Sequence, residues 1–432
     1  MARKVMAWSI AAAFLLAACA GGGGEEPAGG ALRGTVQIMV FGDPEEVLSF
    51  RDLEAAFEER EPEVDVQLVV ASDRDDLLAR LATSFAGGEP PDLFLINHRF
   101  AGQFATRGVL EPLGPYVERS DVFGLEDLYP EATEAFVFGG GQVCLPQNIS
   151  SLVVYFNQDL FEQADVPLPE AGWTWDEMVE RASALTQDTD GDGEPDVYGL
   201  AVGPSLIRIA PFVWSNGGEL VDDTEHPTRF TLDTPEATEA LRDFFDLRLV
   251  HEVVPTEQEV ESEDDAARFL NGRAAMLMSS RRDTPVFRTI EDFTWDVAPL
   301  PVHDEQVTIL HTDAYCLSEA SDHKEEAWAF VEFALGPEGA PIAAATGRTV
   351  PSLIEVAESP VFLEPGEPPA NARAFLDTIP AIRRVPSIST WPEIEEAAEP
   401  FLEEGMFEGV PLADVVRSID EATRTIFERG RS

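Results

Sequence analysis

Lysine is nearly absent from this chain. Lys4 and Lys324 are the only two, and arginine supplies the rest of 29 basic residues against 81 acidic ones. The formal net charge of −52 repels nucleic acid and anionic lipid, so neither is expected as a partner. Adaptation of the whole surface to a salty or alkaline setting explains such diffuse acidity more simply than a cationic substrate does. Histidine is scarce as well, with six residues scattered without metal-ligand spacing. No H-E-x-x-H, G-x-S-x-G or Cys-x-x-Cys is present, and no G-x-G-x-x-G follows the first predicted strand, which removes the usual zincin, hydrolase-elbow, dithiol and dinucleotide signatures. Carboxylates are so abundant that their pairs neither support nor exclude a glycosidase. Beyond about residue 30 no apolar run approaches the ~18 residues of a membrane helix.

What is present begins with a leader. Arg3 and Lys4 form a basic start, Val5 to Leu16 an apolar run, and Leu16-Ala17-Ala18-Cys19 precedes a run of glycines. This resembles the lipobox of bacterial lipoproteins, in which the cysteine is lipid-modified and becomes the mature N-terminus; an ordinary secretory leader cut at Ala-x-Ala is the alternative. The expectation is therefore a signal peptide over 1–18, a lipidated Cys19 with a tether over 19–34, and a protein held to the membrane outside the cytoplasm by lipid alone. Cys144 and Cys316 remain, an even pair in an oxidising compartment, either joined in a disulfide or buried as two small thiols. The rest of the 432 residues, 44% of them hydrophobic overall, is enough for two domains of about 150–200 residues with full cores.

Along the chain, Thr35–Phe41, Val64–Val70 and Asp92–Ile96 read as strands separated by helical patterns, in one of which Val47, Phe50, Leu53 and Phe57 share a face. This β-α-β-α-β order predicts right-handed crossovers and a parallel sheet. Ligands bind beyond the carboxyl ends of such strands, here Gly42-Asp43 and Asn97-His98-Arg99. Residues 143–157 read as two strands broken at Pro146, a crossing into a second domain. Thr174 with Glu177 forms a capping box for a helix over Trp175–Leu185, and further helices are predicted over Pro235–Val250, Lys324–Leu335 and Leu412–Arg429.

Asp188, Asp190, Asp192 and Asp196, with Gly193, match the first part of a calcium-binding EF-hand loop, but Gly199 stands where a bidentate glutamate belongs. A structural calcium and a plain acidic turn both remain open. Trp214 and Trp391 sit among chain breakers, which makes them better sugar-stacking candidates than Trp173, Trp295 or Trp328, expected in the core. Arg281-Arg282, Arg348 and Arg383-Arg384 could meet a carboxylate, a phosphate or paired hydroxyls, or could simply neutralise nearby acids.

Residues 145–157 (Leu-Pro-Gln-Asn-Ile-Ser-Ser-Leu-Val-Val-Tyr-Phe-Asn), Trp173 to Met178, Asp188 to Gly193 with Tyr198-Gly199-Leu200, Trp214 to Gly218, Val297 to Pro301 and Ala327 to Phe333 together carry a resemblance over about 35–430. The chain is similar to the extracellular sugar-binding proteins of bacterial ABC importers, the group that includes maltose-binding protein. The resemblance implies an α/β, two-lobed periplasmic-binding-protein fold of type II, with parallel or mixed sheets flanked by helices and joined by hinge strands. It assigns 35–145 plus 316–347 to the first lobe and 148–312 plus 351–432 to the second, with hinges near 145–148, 312–316 and 347–351. Cys144 and Cys316 then fall on hinge-adjacent strands. The family's cleft positions carry over to Asp43, Asn97, His98, Arg99, Gln147, Asn148, Trp214, Ser280, Arg281, Tyr315 and Trp391. Many relatives have a tryptophan after the strand at 274–278, where this chain has Ser280-Arg281-Arg282, which leaves room for an acidic or phosphorylated sugar.

The function so implied is capture of a carbohydrate by hinge closure and delivery to an ABC permease, by a monomer that is not an enzyme. Two rivals differ in kind. A secreted carbohydrate-active hydrolase would turn its sugar over, and a lipoprotein sensor outside transport would show no affinity for small molecules.

Overall fold

The computed structural model describes residues 32–430; the leader, Cys19 and most of the tether lie outside the described residues. Eight strands build two main sheets: β1 (Gly34–Phe41), β2 (Val64–Ala71), β3 (Leu93–Asn97), β4 (Cys144–Pro146), β5 (Val153–Asn157), β6 (Met276–Ser279), β7 (Trp295–Ala298) and β8 (Asp313–Leu317). The first sheet runs β2-β1-β3-β8-β4. β1 is parallel to β2 and β3, and β8 is antiparallel to both its neighbours. Parallel neighbours need long crossovers, supplied by α1 (Pro44–Arg60) and α2 (Arg74–Gly87). Val36, Ile38 and Val40 are fully buried and Met39 between the latter two nearly so, as expected of a sheet covered on both faces.

Helix α1 forms because Asp43 caps it, its side chain accepting the Glu46 N–H, and Pro44 fits the first turn. Its buried stripe Phe50, Leu53 and Phe57 recurs at three and four residues. Phe57 meets Phe330 and Phe333 at ring distances of 5.4 and 5.6 Å. Both rings belong to the helix Lys324–Leu335, the span expected from the sequence.

The second sheet, β6-β5-β7, is antiparallel throughout and also buried on both faces. Val154 and Phe156 join Met276 and Met278 in one hydrophobic cluster. Tyr155 points the other way, towards Phe287, Trp295 and Phe375 at 5.1, 5.7 and 6.4 Å. The structure is mixed α/β with one mixed and one antiparallel sheet, as the two-lobed fold requires.

Three segments cross between the sheets side by side. Gln147 N–H donates to Asp313 O (2.8 Å), Ile149 N–H to Val350 O (2.9 Å), and Ser150 and His311 exchange backbone bonds at 2.8 Å. Next to this ribbon Cys144 lies directly opposite Cys316 in the β4–β8 register, and the two form a disulfide across a sequence separation of 172. Trp173, Trp295 and Trp328 are core residues, as expected. The Thr174–Glu177 capping box is present in both directions, at 2.8 and 3.2 Å. Among the described residues no helix is long and apolar enough to cross a membrane.

Candidate functional site

A cleft of about 530 Å³ opens where the ends of β1, β2 and β3 face the end of β6 across the three-segment ribbon. Much of its wall is assembled from chain turns that follow strands, because a strand's last residues leave the core while the next helix has yet to begin.

At the end of β1, Asp43 both caps α1 and accepts Arg348 Nε at 2.6 Å; Glu46 accepts Arg348 Nη2 at 2.8 Å. Burial pushes the Glu46 carboxyl up to about 8, with Arg348 pulling the other way. Burial opposes the charge on Arg348, but Glu46 and then Asp43 outweigh it and raise its pKa. At the end of β3, Asn97 caps the helix His98–Ala105, and its Oδ1 takes Arg99 N–H and Nε, both at 3.3 Å. Arg99 Nη1 reaches Glu395 at 2.7 Å, from the opposite lobe. Asn148 Oδ1 accepts Asp313 N–H at 2.8 Å, which fixes two of the crossing segments together.

Of the residues expected in the cleft, Asp43, Asn97, Arg99, Asn148 and Ser280 stand on its wall. Gln147 is half-buried behind Glu46, its amide 3.5 Å from Oε1. The other five are corrected. His98 is fully buried, with Nε2 3.2 Å from Leu310 O, and burial lowers its pKa to about 3. Tyr315 lies in the core against Phe330 at 6.0 Å, and burial raises its phenol. Arg281, wholly buried, donates Nε to Gly347 O (2.7 Å) and Nη2 to Glu364 (3.2 Å), with Phe362 and Phe375 against its plane. It braces the crossing segment that carries Arg348.

The stacking expectation also fails. Trp214 ends the apolar helix Leu206–Ser215 and is 3% exposed, and Trp391 is 0% exposed with its indole N–H on Glu395 at 2.7 Å. Neighbouring glycines, prolines and serines mark where an element ends, not which way a ring points, and long-range packing turned both inward.

Sequence reasoning passed over Arg74, Arg208, His311 and Asp313 on the wall. Arg74 follows β2, so the strand-end rule applied to β1 and β3 would have found it. Arg208 lies in the first turn of an apolar helix, with no local signal. The Nε of both arginines, His311 Nε2, Ser150 Oγ and Asp313 Oδ1 are buried without a hydrogen-bond partner. Such groups are costly to leave unmet, and their concentration on one wall marks a place built for a polar solute.

In the acidic loop, carboxylate oxygens of Asp188, Asp190 and Asp196 lie within 4.8 Å of one another, and these three could hold a cation. Asp192 does not join them; its Oδ1 takes Glu194 N–H at 2.8 Å. Gly199 cannot be the missing glutamate, since a Cβ there would fall 2.0 Å from Ala182 O. The loop holds its turn by its own bonds, with Asp188 accepting Gly191 and Gly193 N–H at 2.6 and 2.9 Å.

Comparison with known proteins agrees with this geometry. The sequence model of the bacterial extracellular solute-binding protein family matches residues 44–341. An ABC substrate-binding protein of Listeria monocytogenes, solved in complex with cycloalternan, superposes with a TM-score of 0.83 at 25% identity, covering 91% of this chain and 99% of that one. The maltotriose-binding protein of Pyrococcus abyssi is 27% identical over 342 residues, 76% of this chain and 68% of its own length. The mannitol-binding protein of Pseudomonas aeruginosa is 24% identical over 303 residues, 67% of this chain and 66% of its own.

Proposed function

The chain belongs to the bacterial extracellular solute-binding proteins, and we propose that it captures a carbohydrate in the cleft between its lobes and delivers it to an ABC permease. One observation carries this reading: unpartnered polar groups from both lobes converge on one cleft, bridged by a three-segment ribbon that can bend. A solute touching both walls gains contacts only when the lobes approach, so it shifts the population towards the closed state. No bond is made or broken. The names of the relatives support a sugar or polyol as the solute class. The motif at Cys19 supports a lipid anchor that holds the protein at the outer face of the membrane, beside its permease.

Thermal unfolding against a panel of neutral and acidic sugars, with product analysis, tests the reading. A sugar at ~100 times its Kd adds about 2.7 kcal/mol, a shift of a few degrees. A shift without product is expected. Turnover of the bound sugar would favour the hydrolase instead, and flat curves throughout would remove the carbohydrate claim.

A further inference from the structure

We propose that the solute is an anionic sugar, its carboxylate or phosphate held between Arg74 of the first lobe and Arg208 of the second. This rests on the carbohydrate reading and adds the charge of the ligand.

Five arginines line the cleft: Arg74, Arg99, Arg208, Arg282 and Arg348. Three have acidic company. Arg348 is held by Asp43 and Glu46, Arg99 by Glu395, and the solvent-facing Arg282 has Asp283 at 3.7 Å. Among the described residues Arg74 and Arg208 make no ion pair, and the buried Nε of each lacks a hydrogen-bond partner; the Arg208 side chain donates from Nη1 to Ser205 Oγ at 3.4 Å. Asp265 acts on Arg208, and Asp313 and Glu395 on Arg74, without forming an ion pair with it, so in a chain of net charge −52 these two guanidinium groups keep donors open to a ligand.

The rest of the wall fits a charged sugar better than a neutral one. Phe41 is the one phenyl, phenol or indole ring on it, and the Arg74 guanidinium lies over that ring at 5.3 Å and over Phe100 at 5.5 Å. This clamp fixes the plane of Arg74 and leaves its edge for a bidentate oxyanion contact. It also covers one face of the Phe41 ring. Asp313 Oδ1, Ser150 Oγ and His311 Nε2 are left for hydroxyls. The imidazole is neutral at physiological pH, since burial first and Arg99 next drive its pKa well down, so it contributes hydrogen bonds and no charge. The two arginines come from opposite lobes, so closing the cleft brings like charges together. An oxyanion between them turns that repulsion into a bridge, whereas a neutral sugar leaves it in place.

Titration calorimetry and thermal unfolding with matched pairs decide the matter. Galacturonate against galactose, and a digalacturonide against a neutral disaccharide, form the carboxylate arm; glucose 6-phosphate against glucose forms the phosphate arm. At least one acid should bind 100-fold or more tightly than its neutral partner, with affinity falling as salt rises. Arg74→Gln and Arg208→Gln should each reduce that preference tenfold or more while the free variants still unfold in a single cooperative transition. Neutral sugars binding as well as their acids, or variants keeping the preference, would overturn the proposal while leaving the carbohydrate reading intact. Silence of every sugar would overturn both.

Discussion

Arginines on the outer surface and arginines in the cleft meet opposite fates in the same acidic chain. Arg119 pairs with Glu325 (2.6 Å), Arg373 with Glu358 (2.9 Å) and Arg424 with Asp420 (2.6 Å), all three arginines being more than half exposed. Where carboxylates outnumber basic groups by 81 to 29, such pairing is what chance proximity yields, and in water it contributes little. Arg74 and Arg208 face the cleft with no ion pair among the described residues, although Asp43, Glu46, Asp73 and Asp313 share its wall. An arginine without an ion pair on so acidic a protein is therefore more informative than a paired one, because its donors remain open to a ligand. Arg281 is a third case, buried completely and committed to Gly347 and Glu364.

These three settings predict a graded series. The largest effect is on stability: Arg281→Met should cost about 3 kcal/mol in urea unfolding, since it strands the Gly347 carbonyl and part of a buried charge network. Loss below 1 kcal/mol would mean that the brace is dispensable. Next comes Arg208→Gln, expected to weaken binding of the acidic sugar about 100-fold, or about 2.7 kcal/mol, with a smaller loss of stability in the free protein because Arg208 compensates the partly buried Asp265 carboxylate.

A smaller effect concerns pH. Burial raises the Glu46 carboxyl in the folded state to about 8 from its ordinary 4.5, so the native state holds its proton longer than the unfolded chain does. Its contribution is thus full below about 4.5 and lost as pH rises through about 8. Glu46→Gln should flatten the decline in melting temperature across that window, and an unchanged slope would place the proton elsewhere. Smallest is Arg373→Gln, on the surface, expected to stay within about 0.5 kcal/mol in unfolding and to leave binding untouched.

Much of this architecture was legible in the sequence because local signals and the fold agreed. The first three strands, the capping box at Thr174 and the final helix each follow from periodicity and end residues that tertiary packing did not override. The cleft was partly legible for the same reason: residues just past a strand, such as Asp43 and Asn97, have nowhere else to go. Direction of side chains was less so. His98 and Arg99 are adjacent, yet one enters the core while the other meets Glu395 at the mouth of the cleft. Trp214 and Trp391 face inward because distant segments cover them, and Arg208 gains its role from a helix placed by contacts far away in sequence. Those are properties of the assembled lobes, invisible in a window of ten residues.

The contrast between cleft and surface is tested most directly by calorimetric titration of one acidic sugar, the strongest in the thermal panel, into the wild type, Arg208→Gln and Arg373→Gln. The wild type and Arg373→Gln should bind alike, with Arg208→Gln weaker by about 100-fold. Equal affinity in all three would show that the unpaired cleft arginine does not serve the solute, and would contradict the account at its centre.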